Sequence, residues 1–500
     1  MDVLRGFALL GIALMNVEFF NRSGMELGTG LPATDTGAAH VAGWLVAWLV
    51  TGKFWVLFSL LFGMGFAVML QRAQARGGDF LRTYRRRTLA LLGFGLGHAI
   101  GLWMGDILVG YAVTAAMLLL VWFGSMRRAA MMALVVLVVA AIPGLHGAAG
   151  LLALIALAMI VGDWIRAPEG RTPRGLWALA ALGMLLLAAG IALVALGRPM
   201  HGGPVGSIGA LLGVLAWLAA RYRGAPAQRP LRVGVALYLL VPMSMLVGAI
   251  VVGLDPQAMQ PPIAEARQAQ AESVRDYQAA LEADVRALRS PAYADDVQAR
   301  LRIFPESLSM LPILGTMALG VFLVGGWLLT SGAIADPQAH ARFWHRLRMA
   351  WPVCAAVVAF ALWLAPGMPR DAPPQSRQLL GAALAMAAAL PMALGYIAMI
   401  LRGLRTQPGA RLLSLLAPAG RMALTNYLLQ SLICGFVFYG WGLHQWGMAR
   451  HWQLVLVFAM YAAQVLFSIA WLRVFRYGPM EWLWRWLTYG RRPVAQPAMA

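Results

Sequence analysis

Apolar stretches of about twenty residues, each closed by a short polar or arginine-bearing break, recur along nearly the whole 500-residue chain. A helix needs about 20 residues to cross a hydrocarbon core of ~30 Å. Candidate spans fall at about 3–20, 54–71, 88–105, 107–124, 129–144, 149–165, 175–197, 205–222, 233–254, 307–330, 350–366, 379–401, 420–440 and 452–472. Several are short, so ten to fourteen crossings are expected. With 61% hydrophobic and 12% charged residues, a soluble globular domain is excluded. The expected fold is all-α, a polytopic transmembrane helix bundle.

The formal charge of +20 does not read as a nucleic-acid groove, because the arginines sit in short loops between apolar runs. "RAQARGGDFLRTYRRR" (72–87), Arg127 and Arg128, the segment from Arg221 to Arg232, then Arg342, Arg346 and Arg348 are such clusters. Arg402, Arg405 and Arg411 follow, and finally Arg473 and Arg476. With all fourteen spans, every cluster falls on the side of the N-terminus, which places both termini in the cytoplasm. Cys354 and Cys434 lie inside apolar runs, which argues against a disulfide framework or a metal site. The first apolar run lacks a cleavage pattern and reads as a retained span.

The chain divides into an N-terminal membrane bundle (1–128), a stretch of further membrane helices (129–254), a long extracytoplasmic loop (255–306) and a C-terminal bundle (307–500). In the loop, Val274, Tyr277, Leu281, Val285 and Leu288 recur at helical spacing. That predicts an amphipathic helix outside the membrane, either packed on the bundle or capping an external cavity.

Ionisable groups inside spans cost roughly 3 kcal/mol on insertion scales and therefore face the bundle interior. In "GFGLGHAIGLWMGDIL" (93–108), Gly93, Gly97, Gly101 and Gly105 form a smooth stripe for a neighbouring backbone. His98, about 100° from that stripe, is expected near mid-depth, about 15 Å from the start of the span at residue 88. Asp106 would lie ~12 Å further along a regular helix, out of direct reach, where it could cap the next helix. In the first span, Asp2 and Arg5 pair at i,i+3, and Asn16 falls on the same face about 16 Å beyond. That stripe reads equally as helix–helix glue. In "APAGRMALTNYLLQSLICG" (417–435), Arg421 shares a face with Thr425, and Asn426 with Gln430. Near the C-terminus Glu481 and Arg485 are spaced to pair, and Trp482, Trp484, Trp486 and Tyr489 suit an interfacial belt. No phosphate loop, HExxH or GxSxG is present.

"LRGFALLGIALMN", "GKFWVLFSLLFGMGFA", "GLGHAIGLWMGDILVGYA", "GRMALTNYLLQSL" and "FRYGPMEWLWRWLTY" together resemble the YeiB-like bacterial membrane proteins, the domain of unknown function 418 family. Members carry a few residues ahead of the D-x-L-R-G motif, so the true start is expected upstream of Met1. The family has been labelled a transporter and has no settled activity. More distantly, it resembles the transmembrane acyltransferases that include heparan-alpha-glucosaminide N-acetyltransferase, which share the D-x-x-R-G motif and a following asparagine. Asp2, Arg5, Gly6 and Asn16 reproduce that pattern, but "EFFNRSGMELGTG" lacks the histidine that follows in those enzymes.

The resemblance implies acyl transfer from a cytoplasmic acyl-CoA co-substrate to an envelope or small-molecule acceptor, with no covalently bound cofactor and no metal. His98 would then be the base, Asn16 the oxyanion donor, and Asp106 a shaping group. Arg5, Arg85, Arg86 and Arg87 would meet the donor. The alternative is a transporter or flippase with His98 coupling protons. The bilayer is the one partner the chain itself demands, and the oligomeric state stays open.

Overall fold

The computed structural model describes residues 1–26, 28–32, 35–140, 146–170, 176–196, 199–255, 264–368 and 374–493. Among these residues there is no strand. From the N-terminus, α1 is Asp2–Asn16, α2 Gly37–Leu49, α3 Lys53–Arg76, α4 Phe80–Gly101 and α5 Leu108–Phe123. Next come α6 (Met126–Ala140), α7 (His146–Arg166), α8 (Leu176–Ala195), α9 (Pro199–Arg221) and α10 (Arg229–Leu254). They are followed by α11 (Ala264–Leu288), α12 (Tyr293–Leu308), α13 (Leu311–Thr330), α14 (Ala341–Leu364) and α15 (Ser376–Gly403). Short α16 (Gln407–Ser414) and α17 (Ala417–Arg421) lead into α18 (Ala423–Phe438), α19 (Arg450–Val474) and α20 (Pro479–Tyr489).

Each of the fourteen apolar stretches corresponds to a helix. Seven helical stretches among the described residues are long and apolar enough to cross a membrane, and four shorter apolar helices accompany them. The expected stretch 129–144 runs on into residues outside the described ones, as do both ends of 175–197 and residues 256–263 of the long loop.

The second span differs from expectation. Residues 37–76 form one helical stretch rather than starting at 54. It bends at Gly52, whose φ of 81° breaks the α-helical ladder. At the bend the Val46 carbonyl accepts from the Val50 and Thr51 amides, and the Lys53 ammonium donates to the Ala47 carbonyl at 2.9 Å. The segment Thr51 to Lys53 is the repair of a kink.

Lipid offers little hydrophobic drive between helices, so small residues that admit close backbone approach decide which helices pair. A side chain on Gly63 of α3 would strike the Phe322 carbonyl of α13, and one on Gly325 of α13 would strike that of Leu60. Gly234 of α10 and Gly320 of α13 face each other in the same way. Thus α13 becomes the axis of the bundle, with 72% of its apolar window buried against 17% for α14 at the rim.

The first turn of α1, α17, α20 and the start of α4 gather at one end. Gly420 abuts the Asp2 carbonyl, Arg421 donates to the Arg476 carbonyl, and the Trp484 indole donates to the Arg87 carbonyl. At the opposite end the loop after α1 meets the loop before α19, where Asn21 bonds Met448. The Val274–Leu288 stripe is half-buried or buried, and α11 with α12 forms a roof over that opposite end.

Candidate active site

Helix α4 ends at Gly101, and this changes the geometry expected for its two ionisable groups. His98 lies in the last turn, where its carbonyl accepts from the Leu102 and Trp103 amides. It is therefore close to the roofed end of the bundle rather than at mid-depth. The chain then folds back, so that Asp106, instead of standing ~12 Å away along a regular helix, meets His98 directly: Oδ1 lies 2.8 Å from Nδ1. The other carboxylate oxygen accepts from the Val109 amide at 2.7 Å, so Asp106 does cap α5 as expected. One side chain both starts α5 and fixes the imidazole.

The second ring nitrogen finds a partner that sequence reasoning missed. Ser431 of α18 places Oγ 2.8 Å from His98 Nε2. An ionised Asp106 can only accept, so it holds the proton on Nδ1 and leaves Nε2 to accept from the Ser431 hydroxyl. The result is a buried carboxylate–imidazole–hydroxyl chain. The imidazole and carboxylate side chains are 0% and 2% exposed, and Ser431 is 3% exposed. Such an arrangement makes a hydroxyl nucleophilic by giving its proton a base of fixed orientation.

Aromatic rings wall the chain. The Tyr427 ring centre is 4.9 Å from that of His98, and Trp103 stands edge-on at 6.3 Å. Phe20 stacks on Trp103, whose indole donates to the Phe19 carbonyl. Asn16, one turn before Phe20, is buried and its amide makes no hydrogen bond among the described residues. No hydrogen bond joins it to His98 among the described residues. Ser431 was inconspicuous because a serine in a helix can satisfy itself on the preceding turn, so a lone one carries little signal.

The expected glycine stripe is not the contact surface. Gly93 and Gly97 are exposed with open space beside them, and Gly105 lies beyond the helix. The close approach is at Gly95, where a Cβ would sit 2.6 Å from the Val109 amide nitrogen. Gly95→Ala should therefore push α5 off α4 and lower the unfolding midpoint in detergent by several degrees, whereas Gly97→Ala, in open space, should hold or raise it. Equal midpoints for the two variants would remove this packing argument.

The roof carries its own buried polar groups. Arg300 donates to Asp296 at 2.8 Å, and the Trp441 indole donates to the same carboxylate at 3.2 Å. Ser23 donates to Asp284, Tyr293 donates to the Gly101 carbonyl, and the Gly440 amide donates to the Leu288 carbonyl. The roof is thereby fastened to the segment that follows α18 and to the end of α4. Burial, outweighing the nearby Arg300, pushes the Asp296 carboxyl up to about 6.

The remaining expected residues fall into place as follows. Asp2 and Arg5 pair at 2.9 Å. Arg85 and Arg86 are exposed, while Arg87 lies flat over the Trp484 ring at 3.8 Å. Asn426 bonds Ser468, and Gln430 bonds Gln464, so these two are glue between α18 and α19. Glu481 does not pair with Arg485. Its carboxylate accepts from the Thr425 hydroxyl and from the Leu424 and Thr425 amides, capping α18, while Arg485 covers Tyr477. The free amides of a helix start are a better match for a carboxylate than an exposed side chain one turn away. Arg450 also went unnoticed: 3% exposed, it bridges Glu18, Gln453 and the Leu14 carbonyl.

Fold and site define an all-helical, multi-pass membrane protein with a buried acid–base pair under an extramembrane roof. Residues 328–491 match the family model described as "Protein of unknown function (DUF418)", a region that holds Ser431 and Glu481. The chain is 26% identical to "Uncharacterized protein YxaH" of Bacillus subtilis (strain 168) over 519 residues, covering 99% of this chain and 95% of the relative. It is 53% identical to "Uncharacterized protein YeiB" of Escherichia coli (strain K12) over 78 residues, 16% of this chain and 20% of that protein. The "Uncharacterized 39.9 kDa protein in amylase 3'region" of Bacillus acidopullulyticus is 40% identical over 101 residues, 19% of this chain and 28% of the relative. The resemblance to YeiB-like proteins read from the motifs is thus borne out. No solved structure matches the chain.

Proposed function

We propose that the protein is a membrane-embedded acyltransferase that carries the acyl group on Ser431 between an acyl-CoA donor and a hydroxyl or amine acceptor. The observation behind this reading is the Asp106–His98–Ser431 chain, with both ring nitrogens of the histidine engaged at 2.8 Å. His98 takes the Ser431 proton as Oγ attacks the thioester carbonyl carbon. A C–O bond forms, the C–S bond breaks, and the proton passes to the departing thiolate. In the second half, His98 takes a proton from the acceptor, which attacks the seryl ester. Ser431 leaves and recovers its proton. Asp106 holds the ring throughout.

Burial suits this chemistry, because an acyl-serine kept from water reaches its acceptor instead of being hydrolysed. The acceptor would enter beneath the roof, which has to part from the end of α4. Asn16, with an unengaged amide, is the candidate donor to the oxyanion. The donor would arrive from the arginine-bearing end, where Arg85 and Arg86 are exposed.

Purified protein in detergent, given acyl-labelled CoA thioester and a membrane extract, should move label into the extract. Absence of transfer, together with His98-dependent substrate uptake in proteoliposomes, would replace this reading with proton-coupled transport. Envelope localisation and the identity of the acceptor follow from where the label goes.

A further inference from the structure

Several arginines at the arginine-bearing end are engaged by the protein itself. Arg229 donates to the Trp164, Tyr222 and Arg223 carbonyls, and Arg166 to those of Trp122, Gly124 and Gly162. Arg87 lies on Trp484, and Arg421 reaches the Arg476 carbonyl. Three line a cavity of about 200 Å³ where the start of α14 meets the end of α15: Arg348 of α14, Arg402 of α15 and Arg405 just beyond α15. None of the three forms an ion pair among the described residues. Asp336, which is exposed and caps the Gln338 and Ala339 amides, feels the charge of Arg405 without forming an ion pair with it.

The opposite wall is apolar and fixed. Trp344 is 2% exposed and its indole is tied to the Ala333 carbonyl at 2.9 Å, while Ala398 and Leu401 complete the surface. Three arginines lining one cavity with a greasy wall, at the arginine-bearing end, match a phosphate attached to an apolar body. Guanidinium forks bind phosphate oxygens two at a time, and basic pockets between membrane helices hold anionic head groups.

We infer that this cavity binds the phosphate of an amphiphile at the membrane surface, either the head group of an anionic phospholipid or the phosphates of a long-chain acyl-CoA. The cavity holds whether or not His98 catalyses acyl transfer. Topology signalling alone explains arginines in loops, but not three that line one cavity with an apolar wall.

The test uses full-length protein, stripped of lipid in neutral detergent, with native mass spectrometry to count adducts. Phosphatidylglycerol and palmitoyl-CoA are titrated separately, with phosphatidylcholine as the reference. The triple variant Arg348→Gln, Arg402→Gln, Arg405→Gln should weaken at least one anionic ligand tenfold or more. A control with equal charge loss on the same end, Arg342→Gln, Arg346→Gln, Arg411→Gln, should change affinity less than threefold. Loss for phosphatidylglycerol alone assigns a lipid head group, and loss for palmitoyl-CoA alone assigns the donor's phosphates. Wild-type binding no tighter than phosphatidylcholine would overturn the inference. So would equal loss in the control, or unchanged affinity in the triple variant. The single variants, each checked for an unchanged unfolding midpoint, keep the test valid if the triple variant does not fold.

Discussion

His98→Ala is expected to lower acyl transfer by a factor of about 10⁴ or more, because the base and its orientation are both lost. Ser431→Ala should cost about as much, and the double variant little more than either alone, since the groups act as one unit. Asp106 separates chemistry from folding. In Asp106→Asn the side-chain oxygen can still cap α5 at Val109, but the amide now donates to His98 Nδ1 and reverses the tautomer. Nε2 then carries the proton and cannot accept one from Ser431. Activity should fall by about 10³–10⁴ with the unfolding midpoint nearly intact. Asp106→Ala removes the cap as well and should add about 1 kcal/mol of destabilisation. An active Asp106→Asn protein would mean that the imidazole is only a structural link between α4 and α18.

Arg300→Met should be the most damaging change outside the site. Asp296 is 0% and Arg300 3% exposed, and removing one member of a buried pair leaves an uncompensated charge worth about 3–5 kcal/mol. The loss falls on the roof, so amide hydrogen exchange in α12 should rise well before the bundle opens. Burial raises the Asp296 carboxyl from an ordinary 3.8 to about 6, so the folded roof binds a proton that the unfolded roof releases. Its contribution is complete below about pH 4 and is lost as pH rises through 6. Arg300→Met should accordingly be milder at pH 5 than at pH 8. Replacing both residues, Asp296→Leu with Arg300→Met, should recover much of the stability. Equal α12 exchange in wild type and Arg300→Met at pH 8 would show that the pair does not hold the roof.

Much of the fold was legible in the sequence because lipid imposes a simple length and polarity rule on each helix. The apolar stretches all became helices, and the Val274–Leu288 stripe became the inner face of the roof. What failed were inferences that assumed regular continuation. The histidine and aspartate of the third span looked ~12 Å apart only because the helix was extended past Gly101. Contacts between distant segments were beyond reach for another reason. Ser431 lies 333 residues from His98, and Thr425 lies 56 from Glu481, so no periodicity connects them. The motifs singled out the right stretches, but not which atoms in them meet.

The most direct test of the central claim is peptide mass spectrometry on Ser431 after purified wild-type protein meets acyl-CoA without acceptor and is quenched in acid. One acyl mass on Ser431 is expected, absent in His98→Ala and discharged when membrane extract is added. Acyl transfer at the wild-type rate by Ser431→Ala, with no acyl mass on Ser431 in the wild type, would contradict it.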